Sequence, residues 1–151
     1  MKVLVDSCVW SYALRRKAGS LNPEERRLVA ALTENIKDGR VVVVGPVRQE
    51  VLSGVKNAGE FDKLHASLIA FRDEPIEALD YVHAARLDNM CRLAGVQCGS
   101  VDMLLCAVAE QNQWTILTND GGLQRCIEVV ERELFSNNEE IKGRTLTQEV
   151  F

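Results

Sequence analysis

The feature that most constrains the fold of this sequence is the run VVVV at residues 41–44, four consecutive β-branched residues. Such a run is typical of a strand buried on both faces, and strands of this kind occur in parallel sheets covered by helices. Two shorter apolar runs, KVLV at 2–5 and WTILT at 114–118, predict two more strands. Helical segments separate the three strands, which indicates βαβ units. We therefore expect an α/β fold, a three-layer α/β/α sandwich with a central parallel sheet.

The helix signals lie between these strands. The clearest is Asn22-Pro23-Glu24-Glu25, which supplies a capping residue, a proline at the first helical position and an acid three residues after the cap. Residues 136–151 are polar and are predicted to form a tail or a short edge element, which leaves one domain over 1–135. The predicted helices cover about 7–17, 23–38, 46–54, 59–73, 76–94 and 100–111.

Composition excludes several classes of protein. Apolar residues make up 46% and charged residues 26% of the 151, as in globular proteins, and the net charge of −4 does not indicate nucleic-acid binding by itself. The five cysteines are odd in number and contain no Cys-x-x-Cys pair, which argues against a disulfide framework and a zinc knuckle and favours a reducing compartment. With no signal peptide and no apolar run of membrane-spanning length, we expect a cytoplasmic protein without a membrane partner.

Two of the predicted strands end at an aspartate. Asp6 directly follows the strand at 2–5, and Asp120 follows the strand at 114–118 after Asn119. In parallel α/β sheets, ligands bind outside the carboxyl ends of the strands, which is where both aspartates are expected. A carboxylate at the end of a buried strand is costly to desolvate without a partner, and no basic residue occurs in the eight positions after Asp6.

Two helical acids join them. Asp102 is spaced three and four residues from Leu105 and Cys106, so it shares their predicted apolar helix face. Glu50, in PVRQEVLSG, lies beside Val51 on the flank of an inward stripe. The spacing therefore predicts that both side chains lean towards the core.

Each acid also has an ordinary structural interpretation. Asp6 suits a helix N-cap, Asp102 suits the first turn of a helix because of the macrodipole, and Asp120 suits the turn TNDGG. Glu50 could be a solvated helical glutamate. A convergent site explains all four positions together, whereas the structural interpretations must hold separately for each.

Four neighbouring carboxylates would repel one another unless a cation bound among them. Hard oxygen ligands without histidine or thiolate favour Mg²⁺, with Mn²⁺ as a substitute, over zinc. Such ions also bind phosphate oxygens, which suits phosphodiester hydrolysis.

The four acids in this order, within VLVDSCVW, GPVRQEVLSG, GSVDMLLCAVA and WTILTNDGG, resemble the PIN domain. More narrowly, the chain is similar to the VapC-type ribonuclease toxins of toxin–antitoxin pairs, from Met1 to about Phe135. The resemblance implies an α/β/α sandwich and a Mg²⁺-dependent endonuclease acting on RNA. It also implies a homodimer that a cognate antitoxin protein inhibits.

The resemblance assigns a role to each acid. Asp6 and Asp102 match the two acids that hold the metal most directly, and Asp120 matches the fourth acid of the metal site. Glu50 matches the helical acid that acts through water bound to the metal. All four are thus candidate catalytic residues and metal ligands.

Thr118 matches a hydroxyl that supports the carboxylates, and we place Asn119 with it as a supporting residue. The sequence departs from the family two residues past the fourth acid. Many relatives carry an acid or histidine there, followed by phenylalanine, where this chain has Gly122 and Leu123. That difference weakens the case for a second metal site.

An acidic protein needs local positive charge to bind RNA. Arg15 and Arg16 end the first predicted helix and Arg48 lies two residues before Glu50, so these three are the candidate RNA contacts. The alternative is that surface arginines serve solubility.

Other functions fit less well. A phosphoacceptor signalling domain needs an acid pair after its first strand and a lysine after a late strand, and no lysine occurs between Lys63 and Lys142. A phosphatase with an aspartyl nucleophile would need an aspartate where Cys8 stands. Two alternatives stay open: a housekeeping RNA-processing PIN nuclease, and a PIN-like binding module without activity.

Overall fold

The computed structural model describes residues 1–137 of the 151. It divides them into two compact units: an N-terminal unit, Lys2–Pro75, and a C-terminal unit that begins at Ile76 and includes Met1. The fold of residues 1–137 is α/β, with seven α-helices and a parallel three-stranded sheet, which confirms the predicted class. The single domain predicted over 1–135 stays a prediction, and most of the predicted tail, 138–151, lies outside the described residues.

The N-terminal unit pairs its two strands in parallel. Val3 lies opposite Val41 and Leu4 opposite Val42, and all three residues of the first strand are buried. This is the environment that the run at 2–5 predicted. The run at 41–44 was predicted as one strand, but only Val41 and Val42 belong to it and Val41 is half-buried. Its elements are β1 (Val3–Val5), α1 (Ser7–Leu14), a 3₁₀ turn (Ala18–Ser20), α2 (Pro23–Lys37), β2 (Val41–Val42), α3 (Gly45–Leu52) and α4 (Ala58–Leu68).

Helix α2 begins where the sequence predicted. The side chain of Asn22 accepts a hydrogen bond from the backbone N–H of Glu25 at 2.9 Å, and Glu25 Oε2 accepts one from the N–H of Asn22 at 2.9 Å. This reciprocal capping box satisfies two of the N–H groups that a helix start leaves open. Beyond the helix, Gly39 has a φ of +66°, a conformation that glycine adopts without strain.

Helix α4 ends five residues before the predicted limit of 73. Arg48 holds the chain beyond α4. Its guanidinium donates hydrogen bonds to the carbonyl of Leu68 at 3.0 Å, to the carbonyl of Phe71 and to Asp73 Oδ1 at 2.9 Å. The Phe71 ring packs edge-on against Trp10 with 5.0 Å between ring centroids. A long-range arginine contact therefore replaces the last predicted turn of the helix.

The C-terminal unit consists of α5 (Ala78–Leu93), α6 (Ser100–Asn112), β3 (Thr115–Leu117) and α7 (Gly121–Asn137). Helix α6 is buried along most of its length, with every residue from 103 to 110 no more than 7% exposed. It contains Glu110, whose carboxylate lies 2.8 Å from His83 Nε2 on α5. Helices α5, α6 and α7 pack on one another and form the core of this unit.

The sequence interpretation did not predict α7. The signal was nevertheless present, because Leu123, Cys126, Ile127 and Val130 recur at helical spacing and all four are buried. The helix continues to Asn137, so the predicted tail boundary at 136 falls inside its last turn.

The expectation against disulfides was wrong for two of the five cysteines. Cys98 and Cys126 form a disulfide across 28 residues of sequence, while Cys8, Cys91 and Cys106 keep their thiols. The fold brings the two Cα atoms to 6.1 Å, which is within the range that a disulfide requires. No local spacing encodes this pair, since one cysteine lies in an irregular connection and the other on a helix that was not predicted.

Candidate active site

Asp6 lies at the junction between β1 and α1 in the N-terminal unit. It is the N-cap of α1, and its Oδ1 accepts a hydrogen bond from the Ser7 N–H at 2.8 Å. Its Oδ2 lies 3.5 Å from the Cys8 thiol, and only 7% of the residue is exposed. These local donors fix the carboxylate, so it can act as an N-cap and still present oxygen to a ligand.

Glu50 lies on α3 of the same unit. Val47 and Val51 are buried on this helix, whereas Glu50 is exposed. The inward lean that the spacing predicted is therefore not observed. An exposed carboxylate on a helix whose other face is packed remains accessible to a polar ligand.

Asp102 lies in the first turn of α6 in the C-terminal unit and is partly buried. Its Oδ2 lies near the backbone of Gly99, so that a Cβ added there would come within 3.5 Å of it. Burial, and after it the Asp102 carboxylate, raises the pKa of the Cys106 thiol one turn along the helix. That thiol therefore stays protonated at neutral pH and does not supply a thiolate nucleophile.

Asp120 follows β3 after Thr118 and Asn119. Its Oδ1 accepts a hydrogen bond from the N–H of Leu123 at 2.8 Å, and its own N–H donates to Thr118 Oγ1 at 3.0 Å. Thr118 is 1% exposed and Asp120 is exposed. The Thr118 hydroxyl thus holds the backbone of the aspartate, which is how it can support the carboxylate.

Gly122 lies two residues past Asp120, at the position where the sequence departs from the pattern that the family resemblance implies. A Cβ added to it would lie 3.3 Å from Asp120 Oδ1, closer than most side-chain contacts. The glycine therefore leaves room for the Asp120 carboxylate to reach the Leu123 N–H.

The structure thus places Asp6 and Glu50 in the N-terminal unit and Asp102 and Asp120 in the C-terminal unit. Among residues 1–137, no group of three or more His, Cys, Asp or Glu side chains is arranged to hold a metal ion. Their oxygen donors match Mg²⁺ in chemical type. Convergence of the four carboxylates on one cation stays a prediction.

The three arginines predicted to contact RNA differ in their surroundings. Arg48 makes the three contacts at the end of α4 described above. Arg16 donates to Glu25 Oε1 at 3.4 Å and to the Ser20 carbonyl at 3.2 Å. Arg15 is exposed at the C-terminal end of α1. The structure gives two of the three a role in holding the fold, and their contact with RNA stays a prediction.

Comparison with known proteins identifies the family. A model of the PIN domain matches residues 3–128. The chain belongs to the PIN-domain family. PIN domains are generally nucleases, and they usually use divalent metals. No curated protein matched the sequence.

Solved structures with the same fold include FitB and VapC toxins of toxin–antitoxin systems. This PIN domain is 21% identical to a chain of FitAcB from Neisseria gonorrhoeae, with a TM-score of 0.65 over 82% of this chain and 91% of that one. It is 20% identical to a chain of FitAB bound to a DNA fragment, with a TM-score of 0.63 over 82% of this chain and 90% of that one. It is 18% identical to a chain of VapBC2 from Rickettsia felis, bound to a promoter DNA fragment, with a TM-score of 0.61 over 83% of this chain and 93% of that one. At these identities the likeness establishes the fold alone.

The sequence did not indicate the groups that contact the predicted site acids of this PIN domain, nor the one that holds the end of α4. The amide of Leu123 and the thiol of Cys8 contact the two strand-end aspartates, and Arg48 holds the end of α4. Capping preferences could have indicated the first contact, since an aspartate three residues before a helical N–H is a common cap. The arginine contacts depend on tertiary structure and have no local signal.

Proposed function

We propose that this PIN domain is a Mg²⁺-dependent endoribonuclease that hydrolyses RNA phosphodiester bonds, and that it is the toxin of a VapBC-type toxin–antitoxin pair. The observation that carries the proposal is the repeated junction of buried strand, aspartate and helix at Asp6 and at Asp120. The PIN fold, whose members are generally nucleases, supports the reaction class.

We assign the cation to the four carboxylates. Asp6 and Asp102 would hold it most directly and Asp120 would complete the set, with Mn²⁺ able to replace Mg²⁺. A bound divalent cation supplies Lewis-acid stabilisation of the scissile phosphate and activates water for attack. The donor set supports this assignment because it contains oxygen ligands only, which Mg²⁺ prefers to sulfur or nitrogen.

The residues of the chain would then position the attacking water. Glu50 is exposed and Asp120 has one carboxylate oxygen on the Leu123 N–H, so either can accept a proton from a water at the phosphate. Because water is the nucleophile, the RNA 2′-hydroxyl takes no part. The expected products carry a 5′-phosphate and a 3′-hydroxyl.

We place the RNA contact at Arg15 rather than at Arg16 or Arg48. Arg15 lines a pocket of about 470 Å³ in the N-terminal unit together with Lys63 and the acidic Glu60. Two cationic side chains on one concave surface suit a phosphate backbone. Arg16 and Arg48 already donate to protein oxygens and would have to give up those contacts to bind RNA.

A protein antitoxin is the proposed partner, since the similar solved structures are FitAB and VapBC2 complexes. A homodimer is also proposed. Large apolar side chains are exposed on α5 and α6, and such groups favour a protein contact: Leu79, Tyr81, Val82, Leu93 and Val101. Sedimentation that detects only monomer at micromolar concentration would contradict the homodimer. The cytoplasm is proposed as the compartment without support from the cysteines, two of which form a disulfide. No helix within residues 1–137 combines the length and hydropathy of a bilayer crossing.

The testing experiment compares purified wild type with Asp6→Asn on total cellular RNA, each with Mg²⁺ and with EDTA. Cleavage that needs both Asp6 and the cation supports the proposal. Asp62→Asn is the matched control, because it removes the same charge from an exposed position on α4 of the same unit.

The other outcomes separate the alternatives. Equal cleavage by Asp6→Asn and wild type would overturn the site assignment. No cleavage in any lane, with no effect of Mg²⁺ on thermal stability, would favour a PIN-like binding module. Cleavage that no protein encoded by the adjacent gene inhibits would favour a housekeeping RNA-processing nuclease over a toxin.

A further inference from the structure

The Cys98–Cys126 disulfide joins the beginning of α6 to α7 within the C-terminal unit. Cys98 lies in the irregular connection between α5 and α6, two residues before the first residue of α6, and is partly exposed. Cys126 is the sixth residue of α7 and is 3% exposed, between helix positions that face the core. The bond therefore fixes an irregular segment to a packed helix.

The segment it fixes carries Asp102. The N-cap of α6 is Gly99, so no side chain at the cap accepts a hydrogen bond from the start of the helix. At this start the Met103 N–H donates a hydrogen bond to the Gly99 carbonyl at 3.0 Å. Since the Asp102 carboxylate lies against Gly99, the placement of that carboxylate depends on the loop that the disulfide holds.

The other end of the bond lies on the helix that Asp120 begins. Asp120 precedes α7 directly and accepts the Leu123 N–H, one turn before Cys126. Asp102 is four residues after one cysteine and Asp120 six residues before the other. A single covalent bond thus links the two short segments that carry both predicted site acids of this unit.

We propose that Cys98 and Cys126 are positioning residues whose disulfide sets Asp102 and Asp120 for the reaction, so that dithiol reductants lower the activity of the enzyme. This inference rests on the proposed nuclease function. It adds a disulfide that fixes the positions of Asp102 and Asp120. The family resemblance implies these two acids but not the disulfide.

The chemistry is a thiol–disulfide exchange with a dithiol. A thiolate of the reductant attacks Cys98 sulfur, the more exposed of the two, and the Cys98–Cys126 bond breaks with Cys126 leaving as thiolate. The second thiol of the reductant then displaces Cys98. In sum the dithiol loses two electrons and two protons and becomes a disulfide, while the protein gains two thiols.

Hydrogen exchange tests the structural half of the proposal. Two samples of wild type are compared, one oxidised and one reduced with dithiothreitol. The double variant Cys98→Ala/Cys126→Ala is the control, because it has no disulfide for dithiothreitol to reduce. We expect faster exchange on reduction at the Met103 and Leu123 amides, and no change with dithiothreitol in the control. Denatured oxidised protein should titrate three thiols, from Cys8, Cys91 and Cys106, and reduced protein five. Five thiols in both forms, or unchanged exchange, would overturn the proposal.

Cleavage and metal binding test the functional half. On reduction, we expect at least a threefold fall in kcat at saturating RNA with KM unchanged, and a weaker Mn²⁺-induced rise in Tm. A merely structural bond would lower Tm without metal but leave the Mn²⁺ concentration for half-maximal stabilisation unchanged, and that result would overturn the proposal.

Failure of the nuclease proposal gives a different pattern. If neither form cleaves RNA but Mn²⁺ stabilises the oxidised form more, the positioning role stands and the assigned activity fails. If both forms cleave RNA equally, the nuclease stands and the positioning role fails.

Discussion

The two units present a predicted site aspartate through the same local arrangement but in different surroundings. Asp6 is buried, caps α1 and contacts the adjacent Ser7 N–H and the Cys8 thiol. Asp120 is exposed, contacts the Leu123 N–H three residues on, and has its backbone held by a buried hydroxyl. A strand followed by an aspartate and a helix therefore fixes where the carboxylate lies along the chain, whereas neighbouring residues fix how far solvent reaches it.

The units also differ in what secures the segments around these acids. In the N-terminal unit, Arg48 holds the chain after α4 through one ion pair and two carbonyl contacts. In the C-terminal unit, the Cys98–Cys126 disulfide holds the chain before α6. One unit depends on charged hydrogen bonds and the other on a covalent bond, so different variants should disturb them.

The largest effect on stability is expected from opening the disulfide. Closing a loop of this length removes about 3 to 4 kcal/mol of chain entropy from the unfolded state in the loop-entropy model. Urea unfolding of oxidised wild type and of Cys98→Ala/Cys126→Ala should differ by about this amount. Dithiothreitol should lower the stability of wild type and leave the double variant unchanged. Equal stability of the two oxidised proteins would contradict this account of the C-terminal unit.

Arg48→Ala should lower the free energy of unfolding by about 2 to 3 kcal/mol, because the carbonyls of Leu68 and Phe71 lose a charged donor. Arg15→Ala is the matched control: it removes an exposed arginine and should stay within about 0.5 kcal/mol of wild type. In RNA cleavage the ranking should reverse, with Arg15→Ala raising KM more than Arg48→Ala at a temperature where both are folded. An Arg48→Ala protein as stable as wild type would remove the structural role of this arginine.

The capping roles of the two aspartates are expected to be similar. Asp6→Ala and Asp120→Ala should each lower the free energy of unfolding by about 1 kcal/mol, since each removes an acceptor for a helix N–H. Asp6→Asn and Asp120→Asn keep that acceptor and should stay close to wild type while losing activity. If the asparagine variants prove as unstable as the alanine ones in urea unfolding, the loss of activity would reflect folding instead of chemistry.

The smallest effect on stability is expected from substitution of Glu131 on α7. Burial, and then the charge of Glu128, raises the pKa of Glu131 above its ordinary value of 4.5. Folding therefore favours the protonated form of Glu131. The contribution of this group to the free energy of unfolding is full below its unfolded pKa and is lost as pH rises through its folded pKa. Glu131→Gln should therefore raise Tm slightly at pH 7 and leave it unchanged at pH 4. A higher Tm at both values would point to a cause other than ionisation.

Local patterns were enough to predict most of the fold. The run at 2–5 and the first half of the run at 41–44 marked paired strands. The Asn22–Glu25 capping box marked the start of α2, because these signals act between residues close in sequence. Helix ends were predicted less well. Helix α4 stops at Leu68 where Arg48, 20 residues earlier, binds its last carbonyl.

In the candidate site, too, the features set by neighbouring residues could be predicted and those set by tertiary contacts could not. The sequence could indicate Asp6 and Asp120 because each of them follows a predicted strand. It could not indicate the Cys98–Cys126 bond, whose partners meet only after α6 and α7 pack. The exposure of Glu50 was also not predictable, since its spacing from Val47 placed it on the border between the buried and the solvated face of α3.

The central claim is that Asp6 and Asp120, despite their different surroundings, both bind the divalent cation. The most direct measurement is Mn²⁺ titration followed by electron paramagnetic resonance, on wild type, Asp6→Asn, Asp120→Asn and the Asp62→Asn control. The account predicts that each of the first two variants weakens Mn²⁺ binding by at least about tenfold, while Asp62→Asn binds as wild type does. Wild-type affinity in either Asp6→Asn or Asp120→Asn would contradict it.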